Sequence, residues 1–382
     1  MRYVTSGESH GRLLTATVTG VPAGVPISQE PVDFDLARRQ VGYGRGGRMR
    51  IERDHGLIVS GVRFGRTIGT PLTITVANRD WENWTDVMSV AGEPVESARV
   101  TSPRPGHADL PGVLKIAAND TRDVLERASA RETAARVAAG AVARAVLGEL
   151  GVNVRSFVQS IGSAAMQVPD EPAAVDFEAV ERSDVRCPDP EVAQRMRDAI
   201  DAASAAGESL GGVFCVVATG LVPGLGSYAE ATERLDARLA AAVMSIPAIK
   251  GMEIGDGFLA ATLPGSRVHD EIHYDTARGY HRLTNRAGGL EGGMSNGEPL
   301  VLRAAMKPIP TLMTPLASVD IETHEPVDAS KERSDVCAVP AAAVVAEAEV
   351  ALVLADAYLR KFGTDTLSDI QAALVAYRAR IL

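Results

Sequence analysis

The residues of this chain with the most chemical reach are two histidines and a run of arginines. The histidines sit among small and polar neighbours, in Gly7-Glu-Ser-His-Gly11 and Arg104-Pro-Gly-His-Ala-Asp109. Imidazole titrates near neutrality and exchanges protons at working pH, and the glycines leave it accessible. One such histidine on its own is more often a satisfied turn residue; two of them, with the arginines, point to a site. Arg38, Arg39, Arg45, Arg48, Arg50 and Arg53 are opposed in their window by Glu52 alone, and Arg45, Arg48 and Arg50 punctuate Gly42-Tyr-Gly-Arg-Gly-Gly-Arg-Met-Arg50. Guanidinium is the preferred fork for carboxylate and phosphate, and glycine permits close backbone approach. A solvated basic loop is the plainer alternative. On a chain whose formal net charge is -10, the cluster suits a small, highly charged anion.

Composition narrows the partners. A sequence pI near 5.3 argues against nucleic acid, which asks for a broad basic face. No uninterrupted apolar run approaches the roughly 20 residues of a membrane span. Met1 leads straight into polar sequence, so no signal peptide is expected. Cys187, Cys215 and Cys337 are scattered without a CxxC, which fits a reducing cytoplasm and argues against a structural zinc or a disulfide scaffold. At 382 residues with 46% hydrophobic content and 4% aromatics, the core must be filled by Ala, Val and Leu.

Several elements must position these groups. Segments 13–19, 56–62 and 71–77 alternate and are β-branched, as strands are. Residues 33–41 read as a helix ending at Gly42, which places Arg38 and Arg39 beside the glycine-arginine loop. Ser129-Ala-Arg-Glu132 fits a capping box opening an alanine-rich helix to about residue 150. An acidic excursion at 168–206, broken by prolines, ends in a helix near 191–206. A strand at 213–218, a helix at 232–245, a glycine-rich stretch at 285–298 and a final long helix from about 340 to 362, stopped by Gly363, complete the pattern. Strands and helices do not alternate strictly, so mixed sheets with helices packed outside are expected in one domain spanning 1–382.

Other motifs carry less. Gly7–Gly11 is not the G-x-S-x-G of a nucleophile elbow. His269-Asp-Glu-Ile-His273 has its glutamate one place late for a zinc helix and reads as a polar hairpin; no metal is expected. Gly288-Gly-Leu-Glu-Gly-Gly-Met-Ser-Asn-Gly297 brings backbone amides close to a ring or an anion, or is a set of tight turns. Arg127-Ala-Ser129 stands at the mouth of a helix, where anions are attracted. Arg333-Ser-Asp335 precedes the last helix, where it offers an anion partner and a proton acceptor or forms an ordinary charge pair.

In order along nearly the whole chain, these blocks resemble the chorismate synthase family: Gly7–Gly11, Arg39 through Arg48, Arg104–Asp109, Arg127-Ala-Ser-Ala-Arg-Glu-Thr-Ala134, Ala248-Ile-Lys-Gly251, Asn285–Gly293, Met306-Lys-Pro-Ile309 and Arg333-Ser-Asp-Val-Cys-Ala-Val-Pro340. The resemblance implies an α+β fold, a β-α-β sandwich of antiparallel sheets enclosed by helices, assembled as a homotetramer. It implies conversion of 5-enolpyruvylshikimate 3-phosphate to chorismate and phosphate, an anti-1,4-elimination without net redox change that requires reduced FMN. In the roles it implies, His10 protonates or hydrogen-bonds the departing phosphate, His107 protonates or stabilises the reduced flavin, and Asp335 assists the proton leaving the substrate ring. Ser9, Arg39, Arg45, Arg48, Ser129, Arg131 and Arg333 hold the substrate. Arg127, Ala128, Ser129, Pro247, Ala248, Gly292, Lys307, Pro308, Ile309, Pro310, Thr311 and Arg333 hold FMN, and Arg39 and Arg45 are also credited with NADPH where a member reduces its own flavin. Ala128 stands where many members have a second serine, and Pro310 removes a backbone donor near the flavin. Another FMN enzyme acting on a phosphorylated carboxylate, or a non-catalytic anion binder, are the alternative readings. The paired histidines speak against the latter.

Overall fold

Alternation along two strands builds the first layer. Leu14, Ala16 and Val18 of Leu13–Thr19 and Leu72, Ile74 and Val76 of Leu72–Ala77 are buried, as period-two patterning requires. Thr17 and Thr73 share a 3.0 Å hydrogen bond across the pair. The sheet runs Arg2–Ser6, Leu13–Thr19, Leu72–Ala77, Gly56–Ser60, every pairing antiparallel. The chain is described by a computed structural model over residues 1–45, 53–331 and 335–381. A second sheet runs Ile249–Ile254, Leu300–Met306, Gly212–Thr219, Asn153–Ile161, Ala164–Ala165, again antiparallel throughout.

The helices are α1 (Gln29–Gln40), α2 (Asp109–Ile116), α3 (Arg122–Ala128), α4 (Thr133–Gly148), α5 (Phe177–Arg182), α6 (Pro190–Ala205), α7 (Leu235–Met244), α8 (Val339–Phe362) and α9 (Leu367–Ile381). The α+β class and the β-α-β sandwich of antiparallel sheets are what the resemblance implies; the mixed sheets with helices packed outside, expected from the order of elements, are not what forms. Helix α4 lies against the first sheet on one side and α8 on the other, and α8 lies against Asn153–Ile161 and Gly212–Thr219 of the second. The long helices are therefore inside and the sheets outside, and neither sheet is mixed. The reason is composition: α8 is predominantly apolar and buried along nearly its whole length, its acidic Glu347, Glu349 and Asp356 being paired with arginines, and such a helix is covered on all sides. Small residues let the two helices meet: a Cβ on Gly140 would fall 2.2 Å from that of Ala348.

Two other local expectations change. The chain does not end its helices at Phe362, because Thr366 accepts a hydrogen bond from the Asp369 amide and opens α9. Glu132 does not complete a capping box; its carboxylate is taken by Thr5 and Arg136, and regular α4 turns begin at Thr133. The acidic segment 168–206 supplies α5 and α6, capped by Asp176 and Asp189. Val180 and Phe177 of α5 pack on Phe157, Cys215, Val217 and Val301, covering the outer face of the second sheet. The three cysteines are buried and unpaired. Among the described residues, no helix is long and apolar enough to cross a membrane.

Candidate active site

His10 is held from three sides. Gly7 turns the chain with φ +101°, and a Cβ there would meet the Leu13 carbonyl at 2.3 Å. The turn then docks on the end of α3: Ser9 N–H donates to the Glu126 carbonyl at 2.8 Å, and His10 N–H to Glu126 Oε2 at 2.8 Å. The His10 ring places Nδ1 2.9 and 3.0 Å from the two carboxylate oxygens. Ionised carboxylate only accepts hydrogen bonds, so Nδ1 carries the proton. Trp84 stacks on the imidazole with centroids 3.8 Å apart and planes 25° from parallel. Arg122, one turn before Glu126, donates to Oε1 at 3.0 Å and lies over the Trp84 ring. Burial pushes the Glu126 carboxyl up, but His10 and Arg122 outweigh it and hold the group below its usual range.

Beside this lies a cation-rich chamber. Ser129 Oγ donates to Ser9 Oγ at 3.2 Å and accepts from the Arg131 amide. Asp54, buried, receives Arg131 on Oδ1 at 2.5 Å and Arg39 on Oδ2 at 2.8 Å. Two guanidinium groups thus share one carboxylate. Burial pulls Arg39 below its ordinary value; Asp54 acts against this, but repulsion from Arg131 and Arg45 adds to it and the shift stays downward. Arg45 pairs with Asp335 at 3.1 Å. The Nε atoms of Arg39 and Arg45 are buried and make no hydrogen bond among the described residues. Guanidinium groups gathered in this way suit an anionic ligand.

His107 repeats the arrangement of His10 on different elements. Its Nδ1 donates to Oδ1 of Asp109, a fully buried carboxylate at the start of α2. Arg104 grips both oxygens of Asp109, at 2.8 and 3.1 Å. Burial favours the neutral acid, yet His107 and Arg104 drive the Asp109 carboxyl well below the usual range. Both imidazole side chains are 15% exposed, so each is fixed yet reachable.

These clusters close into a ring. Arg104 also donates to Thr311 Oγ1, and Lys307 Nζ to the Gly106 carbonyl. The Lys307 amide bonds the carbonyl of Ala248, which holds a left-handed φ of +68°. Ser209 bridges to Ile309, and Leu210 N–H bonds the Val336 carbonyl beside Asp335. On the other flank, Thr121 N–H bonds the Val100 carbonyl, joining the Arg104 loop to α3 and Glu126. Arg127 reaches Thr5 and Gly7, while Arg136 ties Glu132 to Ser245, just ahead of Pro247. Hydrogen bonds and ion pairs thus link, segment to segment, the stretches that carry Ser9, His10, Arg39, Arg45, His107, Ser129, Arg131 and Asp335, and those that carry Arg127, Ala128, Pro247, Ala248 and 307–311. Arg48 and Arg333 lie outside the described residues. Gly292 is placed elsewhere. It turns the hairpin of Leu290–Glu291 and Met294–Ser295 at the N-terminal end of α7, where Leu235 N–H bonds the Gly293 carbonyl. Pro247 follows the other end of that helix. There Gly292 lines a groove of about 1110 Å³ with Arg282, Tyr274 and Arg378.

Sequence reasoning missed Glu126, Trp84, Arg122 and Asp54. Only Arg122 and Glu126 left a signal, an i,i+4 charge pair directly ahead of Arg127. His273 pairs across a hairpin with His281, and no group of metal-ligating side chains forms among the described residues.

A family model described as chorismate synthase matches residues 1–359. Among curated proteins, the chain is 57% identical to a chorismate synthase of Moorella thermoacetica, covering 99% of this chain and 98% of that one. It is 56% identical to one of Trichlorobacter lovleyi, covering 97% of each. A crystal structure of a chorismate synthase superposes with a TM-score of 0.81 at 41% identity, covering 100% of this chain and 98% of the other. With the ring of arginines and carboxylate-bound imidazoles in place beneath these matches, the chain belongs to the chorismate synthase family.

Proposed function

We infer that the protein is a lyase catalysing the chorismate synthase reaction: anti-1,4-elimination of phosphate from 5-enolpyruvylshikimate 3-phosphate, giving chorismate in the shikimate pathway. The observation that carries the site assignment is the convergence of Arg39 and Arg131 on Asp54, with Arg45 on Asp335 beside them. The substrate brings two carboxylates and a phosphate, anions that guanidinium groups are suited to pair when they are taken out of water. Arg39, Arg45 and Arg131 hold these anions, with the Ser9 and Ser129 hydroxyls beside them. Arg48 and Arg333, on sequence grounds, complete the set. His10 meets the departing phosphate: with Nδ1 committed to Glu126, the ring exchanges its proton at Nε2. Asp335, its charge moderated by Arg45, takes the proton that leaves the ring. The C–O bond to phosphate and a C–H bond break, a new C=C bond forms, and the proton and phosphate leave.

The family's reaction requires a reduced flavin. We assign it as FMN, and NADPH as a reductant acting near Arg39 and Arg45. The segments around Lys307 and Ala248 suit such a group. Lys307 is pulled below its ordinary value by burial and by the neighbouring Lys250, so two ammonium groups crowd where a phosphate tail would relieve them. Ala248 sits in a backbone conformation that non-glycine residues rarely adopt, and such strain concentrates at ligand sites. Arg127, Ala128, Ser129, Pro247, Ala248 and the Lys307, Pro308, Ile309, Pro310, Thr311 segment would hold the flavin, which supplies transient electron density to the elimination. His107 lies on this side and keeps a proton at Nδ1 toward Asp109. A homotetramer in the cytoplasm is the family's expected setting.

Anaerobic incubation of the protein with substrate and chemically reduced FMN should release chorismate and phosphate in equal amounts. Folded protein that releases neither would overturn the reading. Supplying oxidised FMN and NADPH instead decides whether the protein reduces its own flavin.

A further inference from the structure

Nδ1 of each site histidine meets a buried carboxylate that also holds an arginine, on elements that have no sequence relation; at His107 the Arg104 Nη2 also lies 3.1 Å from Nδ1, and the shorter contact is the one to Asp109. We propose that Glu126 and Asp109 are positioning residues, each fixing one imidazole as the Nδ1–H tautomer with Nε2 toward the ring of arginines. In the same proposal Arg122 and Arg104 keep those carboxylates ionised. It deepens the functional reading above and rests on it for the kinetic arm of its test.

Both carboxylates are almost wholly shielded from water, their side chains 2% and 0% exposed. A buried carboxyl ordinarily takes up a proton, and a protonated one could donate to Nδ1 and select the opposite tautomer. Each has an arginine in the way. Arg122 donates to Glu126 at 3.0 Å from within α3, and Arg104 clamps Asp109 through two nitrogens. The proton then stays on the imidazole. Which nitrogen of a histidine does chemistry is set by the hydrogen bond that the other nitrogen makes. Trp84 adds a constraint that His107 lacks among the described residues: stacked on His10 and itself covered by Arg122, it fixes the plane of the ring. Glu126 also receives the His10 backbone amide, so one side chain sets both the main-chain path and the ring.

The test uses the full chain with reduced FMN. Glu126→Gln keeps the shape but removes the obligatory acceptor. The kcat is expected to fall roughly 10²-fold or more, with KM for the enolpyruvyl substrate within about threefold; Asp109→Asn should behave alike. Nitrogen NMR of protein labelled at the histidine ring should show Nδ1–H for His10 in the parent protein and its loss in Glu126→Gln. An unchanged kcat, or an unchanged tautomer, overturns the proposal. Should Glu126→Gln not fold, Arg122→Gln keeps the Glu126–His10 bond and removes the cation. Of the charged groups that act on Glu126, His10 and Arg122, only His10 would then remain. The acid limb of the pH–rate profile should move to higher pH, and an unmoved limb overturns the proposal. If the parent protein made no chorismate the functional reading would fall, and the tautomer measurement alone would decide this one.

Discussion

Arg38 and Arg39 are adjacent on α1, both buried, and their surroundings are opposite. Arg38 faces the helical layer, where it meets Glu347 at 2.7 and 2.9 Å, Glu181 at 2.6 and 3.0 Å and Asp35 at 3.1 Å. Arg144 and Arg186 join the same carboxylates. Three arginines thus meet three acids. Burial pulls Arg38 down, but Glu347 and Glu181 outweigh it and hold it above its ordinary value. Arg39, about 100° around the helix, shares Asp54 with Arg131 and is held below its ordinary value. Burial and residue type are the same in the two clusters; the balance of charge differs. The neutral cluster fastens α1, α4, α5 and α8 together, and the cationic one awaits a ligand.

The sharpest way to break this contrast is Glu347→Ala. It removes the carboxylate that Arg38, Arg144 and Arg186 share and leaves three arginines with only Asp35 and Glu181, and the expected loss is about 3–5 kcal/mol of unfolding free energy by urea titration. The substrate KM of whatever folds should be unchanged. Arg39→Ala should do the reverse: substrate binding weakens by about 1.5–3 kcal/mol, read as KM or Kd, with little change in melting temperature because Arg131 and Asp54 are left as a neutral pair. Inorganic phosphate sharpens the point. At tenfold its Kd it should stabilise the parent protein by about 1.4 kcal/mol in thermal melts and Arg39→Ala by much less. Equal stabilisation of both would remove Arg39 from the anion site. Acid is a gentler probe. Asp54, Glu126 and Glu347 are held below their usual values, and Glu181 at about 2. As pH falls below about 4 the unfolded chain takes up protons that the folded one refuses, so stability present at neutral pH is lost in acid. A urea midpoint that did not drop between pH 5 and 3 would contradict this.

Much of the chemistry was legible because it is written in contiguous blocks. Gly7–Gly11 and Arg104–Asp109 each carry a histidine with its local turn, and in the second block the carboxylate partner as well. Asp54 was not legible, because it lies past Arg53 with nothing local to mark it; its meaning comes from Arg39 and Arg131, which reach it from two helical segments. Trp84 is similar, sitting in an irregular stretch with no periodicity. The strands at 13–19 and 71–77 could be read because one face is wet and the other dry. Leu300–Met306 could not: Ala304 and Ala305 give no contrast although one is buried and the other exposed, and Leu300, Val301 and Leu302 are all buried, which erases the alternation there. For the same reason α8 was read as a helix while its place at the centre was not: an apolar run says that it is covered, never by what.

That central place has a consequence for how the protein is made. Helix α8 begins at Val339, so both sheets leave the ribosome before the element that lies between them. At roughly 5–20 residues per second, the nascent chain spends on the order of tens of seconds with the side of α4 that faces α8 uncovered. Gly140 then waits for Ala348 across more than half of the chain. Nascent-chain quality control would meet this protein as two open halves, and the last stretch synthesised is the one that closes them.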